Sequence, residues 1–197
     1  MKEPTRQDAQ RNVARIVAAA TRVLAEDPDA TMQDIAGAAG LGRATVYRHF
    51  PTREDLLGAI AIAALDELRR ALSDGRLEEA EPREALRRAV AAILEVGDRY
   101  RVLVEGHGQL AAEAKAAAMA DTFAPLEAVL ERARADGIIR GGVPLTWTRA
   151  TLGALIKVAM QEAADGTLRR DDAPRMIVDT LLGGLGDSAG QARLSSL

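Results

Sequence analysis

No stretch of this chain alternates apolar and polar residues with the period of two that a half-buried strand needs, and this constrains its fold more than any other feature. Ala, Leu, Arg and Glu dominate instead, and apolar residues recur at helical spacing. Val13, Ile16, Val17, Ala20 and Leu24 make one stripe, which predicts a first helix over residues 6–26 that Asp27-Pro28-Asp29 ends. Thr31, with Asp34 three residues on, predicts a capped second helix with Met32, Ile35, Ala36 and Ala39 inward and Gly40 as its stop. A third piece runs from Arg43 to Phe50. Pro51-Thr52 halts it and caps a fourth helix that reaches Leu72. Ser73 to Pro82 reads as linker, and further helices are expected over 83–104, 109–119, 121–136, 145–165 and 173–187. The fold class is all-α.

Composition narrows the function classes. The absence of Cys removes disulfides, thiolate catalysis and Cys-ligated zinc together. Two histidines, His49 and His107, are far apart, and Glu105-Gly106-His107 lacks the i, i+4 spacing that puts two metal ligands on one helix face. Ser73, Ser188, Ser195 and Ser196 all fall in loops or the tail, so a Ser–His–acid arrangement has little support. Gly137, Gly141 and Gly142 punctuate a helix-to-helix loop, not a phosphate-cradling turn after a strand. The expectation is no enzyme, no cofactor and no metal site. The polar N-terminus has no apolar h-region, and Leu56–Leu65, the longest apolar candidate, is broken by Gly58 and closed by Asp66. A soluble, cytoplasmic protein without a membrane partner is expected.

The informative segment is Thr31 to Leu57. A small Ala36, a turn at Gly40 and an apolar anchor at Val46 give the spacing with which two short helices cross closely in a helix-turn-helix. If Val46 and Phe50 point inward, Arg43, Ala44, Tyr47 and Arg48 lie on the outer face. Arginine can make a bidentate contact to guanine, Ala44 can approach a thymine methyl and Tyr47 can donate to phosphate. The formal net charge of −3 conceals a split, with +2 up to Arg53 and −5 beyond it. Arg43, Arg48 and Arg53 recur every five residues with no acid between them, and local potential decides phosphate attraction. The competing reading is a helical hairpin with a solvated face.

Thr45-Val46-Tyr47-Arg48-His49-Phe50, followed by Pro51-Thr52-Arg53-Glu54-Asp55-Leu56-Leu57, resembles the signature of TetR-family transcriptional repressors. The long first helix and Thr31 opening the second match as well, so the resemblance covers about the first 70 residues. It implies a DNA-binding helix-turn-helix domain over 1–55 and a larger helical ligand-binding and dimerisation domain over 56–197, with the fourth helix bridging both. It also implies that Thr31 and Gln33 lie against DNA, that Arg43, Ala44 and Thr45 reach the groove, and that Tyr47, His49 and Arg53 grip phosphates. Arg48 would read a base or an adjacent phosphate. Tyr47 and His49 also fit a second role, packing against the first helix to hold the motif rigid.

For the remaining two-thirds, the resemblance implies a small-molecule effector and a hinge near the middle of the chain. Tyr100, Leu103, His107, Met119, Phe123, Trp147, Thr151 and Met160 are the candidate pocket residues, each with plain core as its alternative. Gly106-His107-Gly108 is either that hinge or an ordinary loop. Aromatic residues make up only 3% of the chain, which favours an aliphatic pocket over one for large flat polycyclic ligands. Two stripes near the C-terminus suggest association: Leu152, Leu155, Ile156, Ala159 and Ala163, and Ile177, Leu181, Gly184 and Leu185. By the resemblance these helices pair with their copies in a homodimer. The expected function is therefore a ligand-responsive regulator, a repressor that binds a palindromic double-stranded DNA operator as a homodimer and is released by a small molecule. The rival is an all-helical small-molecule-binding or interaction protein without DNA readout.

Overall fold

The computed structural model describes residues 6–100 and 112–185. Its regular elements are helices: α1 (Arg6–Glu26), α2 (Met32–Ala38), α3 (Arg43–His49), α4 (Arg53–Asp74), α5 (Pro82–Arg99), α6 (Ala112–Ala135), α7 (Leu145–Ala164) and α8 (Ala173–Leu185). A 3-10 turn, Leu77–Glu79, stands between α4 and α5. The described residues divide into two compact units, one within 1–67 and 97–118 and the other within 68–96 and 119–197. No helix among the described residues is long and apolar enough to cross a membrane.

In the first unit the α1 stripe divides its work. Ile16, Ala20 and Leu24 are buried, together with Ile35, Val46, Leu56 and Ile60 from the next three helices. Val13 and Val17 are half-buried and line an open cleft of about 990 Å3 that runs between α1 and α4. Ile62, exposed on α4, and Tyr100, at the end of α5, also border it. The Tyr100 hydroxyl donates to Glu67 at 2.9 Å, and Arg99 pairs with the same carboxylate, so the end of α5 is tied to α4.

The second unit has its own core of Leu72, Leu77, Leu86, Leu130, Ile139, Leu152 and Leu181. Residues 109–119 and 121–136, expected as two helices, lie at the described positions in one helix, α6. The stretch from Ala112 to Ala120 consists almost entirely of strong helix formers and has no breaker. Pro125 is accommodated inside α6 with the loss of one intrahelical donor.

The linker-like stretch 73–82 is held at several points. Gly75 and Arg76 turn the chain, and Arg76 takes a left-handed conformation at φ 46° that L side chains rarely adopt. Leu77 is 1% exposed. The Arg132 guanidinium on α6 then donates to the carbonyls of Glu78, Leu77 and Ala80 at 2.7, 2.9 and 3.0 Å. Those carbonyls belong to a turn that cannot satisfy them through helical hydrogen bonds. Arg132→Met keeps the volume and removes all three donors, so it should lower stability by about 2 kcal/mol in urea unfolding, with the helical signal of the folded state unchanged.

Candidate nucleic-acid interface

Helices as short as α2 and α3, seven residues each, hold only if their ends are satisfied and their inner faces anchored. Thr31 closes the start of α2. Its hydroxyl accepts from the Asp34 amide at 3.3 Å and donates to the Asp34 carboxylate at 2.6 Å, while its own amide donates to that carboxylate at 2.9 Å. These bonds from Thr31 hold the Asp34 carboxyl below the ordinary carboxylate range. The cap is therefore whole above that range and is lost as pH falls through the lowered value. Thr52 and Asp55 repeat the device at the start of α4, with bonds of 3.0 and 3.1 Å.

The turn between α2 and α3 rests on Gly40 at φ 62°, a conformation that suits glycine, and the Leu41 amide bonds back to the Ala36 carbonyl at 3.0 Å. Arg15 on α1 reaches across and donates to the Ala39 carbonyl at 2.8 Å. Ala36 and Ala39 are buried beneath this turn. Val46 is 0% exposed and Phe50 6%, so α3 docks through that face and presents Arg43, Ala44, Tyr47 and Arg48 outward. The Arg43 guanidinium lies over the Tyr47 ring, 5.3 Å from its centroid. No acid stands in the first turn of α3.

Each residue expected at the interface has a definite place. Thr31 is exposed, but its hydroxyl is already engaged by Asp34 on both its donating and accepting sides. Gln33 is exposed and shares a concavity of about 750 Å3 with Gly37, Leu41 and Arg43. Thr45 is half-buried on the flank of α3. His49 is half-buried, and its Nε2 is buried with no hydrogen-bond partner among the described residues. Arg53 donates to the carbonyls of Ala30 and Pro28 at 2.5 Å each, tying the start of α4 to the α1–α2 turn. In this structure Arg53 braces the motif, and so does Arg15, which sequence reasoning missed. The one sequence-level hint for Arg15 was a cation directly before the buried Ile16 of the α1 stripe.

The expected pocket residues that are described fall in both units. Tyr100 belongs to the first unit, and Met119, Phe123, Trp147, Thr151 and Met160 to the second. Phe123, Thr151 and Met160 are half-buried, Met119 is 38% exposed and Trp147 is 61% exposed. Leu103 and His107 lie outside the described residues. The two C-terminal stripes mostly close the protomer's own core: Leu152, Ile156, Ala159, Ile177 and Leu181 are buried, and Leu155 and Ala163 half-buried. Gly184 is exposed, with its carbonyl accepting from Arg140 at 2.9 Å. Leu185 ends α8. The faces that α7 and α8 leave open carry Trp147, Ala154 and Val158, and Met176, Thr180 and Gly183. Among the described residues no three His, Asp or Glu side chains cluster as a metal site.

Residues 16–60 match the family of bacterial regulatory proteins, tetR family. The HTH-type transcriptional repressor LfrR of Mycolicibacterium smegmatis is 34% identical over 178 residues, which cover 88% of this chain and 87% of that protein. The crystal structure of LfrR from Mycobacterium smegmatis in complex with proflavine superposes with a TM-score of 0.75 at 32% identity, covering 90% of this chain and 98% of that one. PfmR of Thermus thermophilus, a TetR family transcriptional regulator, gives 0.68 at 28% identity, covering 88% and 100% of the two chains.

The start of α3 leaves room for improvement. Gly42 is its N-cap at φ −67° and offers no side-chain cap, and a Cβ there would meet nothing within 4 Å. Gly42→Ser adds a cap and stiffens the unfolded chain, so it should raise stability by about 0.5–1 kcal/mol in thermal or urea unfolding.

Proposed function

The chain belongs to the TetR family of transcriptional regulators, and on that premise we propose that it is a repressor, a homodimer bound to a palindromic operator and released by a small molecule. The observation that carries this reading is the outward face of α3, where Arg43, Ala44, Tyr47 and Arg48 stand exposed on a helix braced from behind by Val46, Phe50 and the Arg15 bond. A cationic, acid-free face on a short rigid helix suits a major groove, where charge brings the protein to the backbone and side chains read base edges. Ala44 leaves the helix close enough to the groove floor for that reading. Arg53 and Thr31 serve as braces in this scheme, and Arg48 makes the outermost contact.

A palindrome requires two copies with recognition helices about 34–36 Å apart. The open faces of α7 and α8 are the proposed dimer surface. Trp147 at 61%, Val158 at 58% and Met176 at 49% are large apolar side chains left exposed, and the small Ala154 and Gly183 beside them permit close helix approach. The buried Leu152 and Leu181 hold α7 to α8 within each protomer. The DNA-reading domain is proposed to end near residue 55, with α4 as the continuous element that runs on into the effector-binding domain. A change in the direction of α4 on effector binding would alter the spacing of the two α3 helices, and the two half-sites could no longer be engaged together.

The test is a gel shift against DNA flanking the protein's own gene, repeated across salt concentrations. The intact protein should bind with a steep inverse dependence on salt. Arg48→Ala should weaken binding severalfold and leave the dimer intact by sizing chromatography. Val158→Glu should yield folded monomers and lose operator affinity, because the second half-site no longer adds its contribution. Unchanged operator affinity for Arg48→Ala would overturn the assignment of the groove-facing side. Proflavine, the ligand crystallised with LfrR, is the first effector to add, followed by aliphatic compounds from a thermal-shift screen. Loss of the shifted band on adding the ligand identifies release.

A further inference from the structure

We infer that Arg43, held over the Tyr47 ring, is the residue that reads a guanine in each operator half-site. The inference rests on the operator-binding reading above and goes beyond it, by separating the two exposed arginines of α3 and committing each to a different partner.

Arg43 occupies the first position of α3, and in helix-turn-helix proteins the N-terminal residues of the second helix meet the base edges. Its surroundings clear the approach. Gly42 before it carries no side chain, Ala44 after it is small and exposed, and no acid stands in the turn. Among the described residues no carboxylate or carbonyl holds the guanidinium. It is held by the π-face of Tyr47, 5.3 Å from the centroid, which restrains a side chain that otherwise loses much rotamer freedom on binding.

A guanidinium presents a planar fork of donors and no acceptor. In the major groove the base that offers two adjacent acceptors to such a fork is guanine, through N7 and O6. Adenine presents an acceptor beside a donor, so a fork of donors meets a mismatch there. Arg48 differs on each count. It lies in the last turn of α3, no ring lies beneath it, and no partner restrains it among the described residues. A mobile cation at that position suits a phosphate, whose position is fixed but whose contact carries no sequence information.

Tyr47 is therefore a positioning residue, acting through its ring, and its hydroxyl remains available for the backbone. That division makes two substitutions at one site diverge. Tyr47→Phe keeps the platform under Arg43, whereas Tyr47→Leu removes it.

The experiment selects binding sites from a random DNA pool with the full-length protein. It then measures affinity by fluorescence anisotropy for the selected operator and for copies in which each conserved G·C pair is changed to A·T. The wild type should lose about tenfold or more at one G·C position per half-site. Arg43→Ala should bind both DNAs alike, and Arg48→Ala should weaken both by the same factor while keeping the discrimination. Tyr47→Phe should keep the tenfold preference and Tyr47→Leu should lose most of it, with circular dichroism confirming that each variant is folded.

Retained discrimination in Arg43→Ala, a uniform loss across all DNAs in that variant, or a selected site without a conserved G·C pair would each overturn the inference while leaving operator binding standing. Retained discrimination in Tyr47→Leu would overturn the positioning role of the ring. Failure of the wild type to select any sequence or to respond to salt would instead overturn the operator-binding reading, and the inference with it.

Discussion

The whole DNA-reading motif depends on satisfying the backbone of two seven-residue helices. In helices this short almost every peptide group belongs to an end, so internal hydrogen bonds cannot hold them and nucleation is unfavourable. The chain meets this requirement with side chains and one glycine. Thr31 and Asp34 close one end of α2, and Gly40 turns the chain at the other. Arg15 takes up the Ala39 carbonyl, left over where α2 stops. Ile35 and Val46, both 0% exposed, then anchor the inner faces of the pair. The outward face of α3 is held in place because its inward face is buried and the turn that leads into it is braced.

Arginine performs two opposed tasks in this chain, and the partner decides which. Arg15, Arg53 and Arg132 point their donors at backbone carbonyls that no helix satisfies, at the α2–α3 turn, the α1–α2 turn and the α4–α5 turn respectively. A guanidinium suits that work because it carries several donors in fixed geometry and remains charged. Arg43 and Arg48 carry the same group with no carbonyl holding it among the described residues, and they stand exposed toward an external partner. Only three of the 26 basic residues are lysine, so one side-chain type supplies both the braces and the interface.

The features legible in the sequence are the local ones. The Thr31–Asp34 and Thr52–Asp55 caps, the Gly40 stop and the Ala36-Gly40-Val46 spacing each involve residues within a few positions of one another, so their chemistry shows in the order of the letters. The apolar stripe of α1 was legible as a stripe, but its division between a core face and a cleft wall was not, because that depends on what packs opposite. The role of Arg53 was not legible for the same reason. Its partners, Pro28 and Ala30, are 25 and 23 residues away, and the carbonyls it meets carry no mark in the sequence. The C-terminal stripes show the limit most clearly. Periodicity identifies that Leu152, Ile156 and Ala159 share a face, and burial assigns that face to the protomer's own interior. Trp147 and Val158 stand apart from it on α7, in a weaker pattern diluted by Ala and Gly.

Net charge, which at first opposes DNA binding, fits the structure once its placement is considered. The acidic excess lies beyond Arg53, and part of it is neutralised locally. Glu84, for example, accepts from Arg87 and Arg88, which hold its carboxyl down to about 2, so it stays ionised and paired far below neutral pH. A body with an acidic excess is repelled by a phosphate backbone in most orientations. The α3 face has cations and no acid in its first turn, so the repulsion is weakest at the face proposed to read DNA. The negative average then disfavours binding through other surfaces, and discrimination against wrong contacts is as much a part of specificity as attraction to the right one.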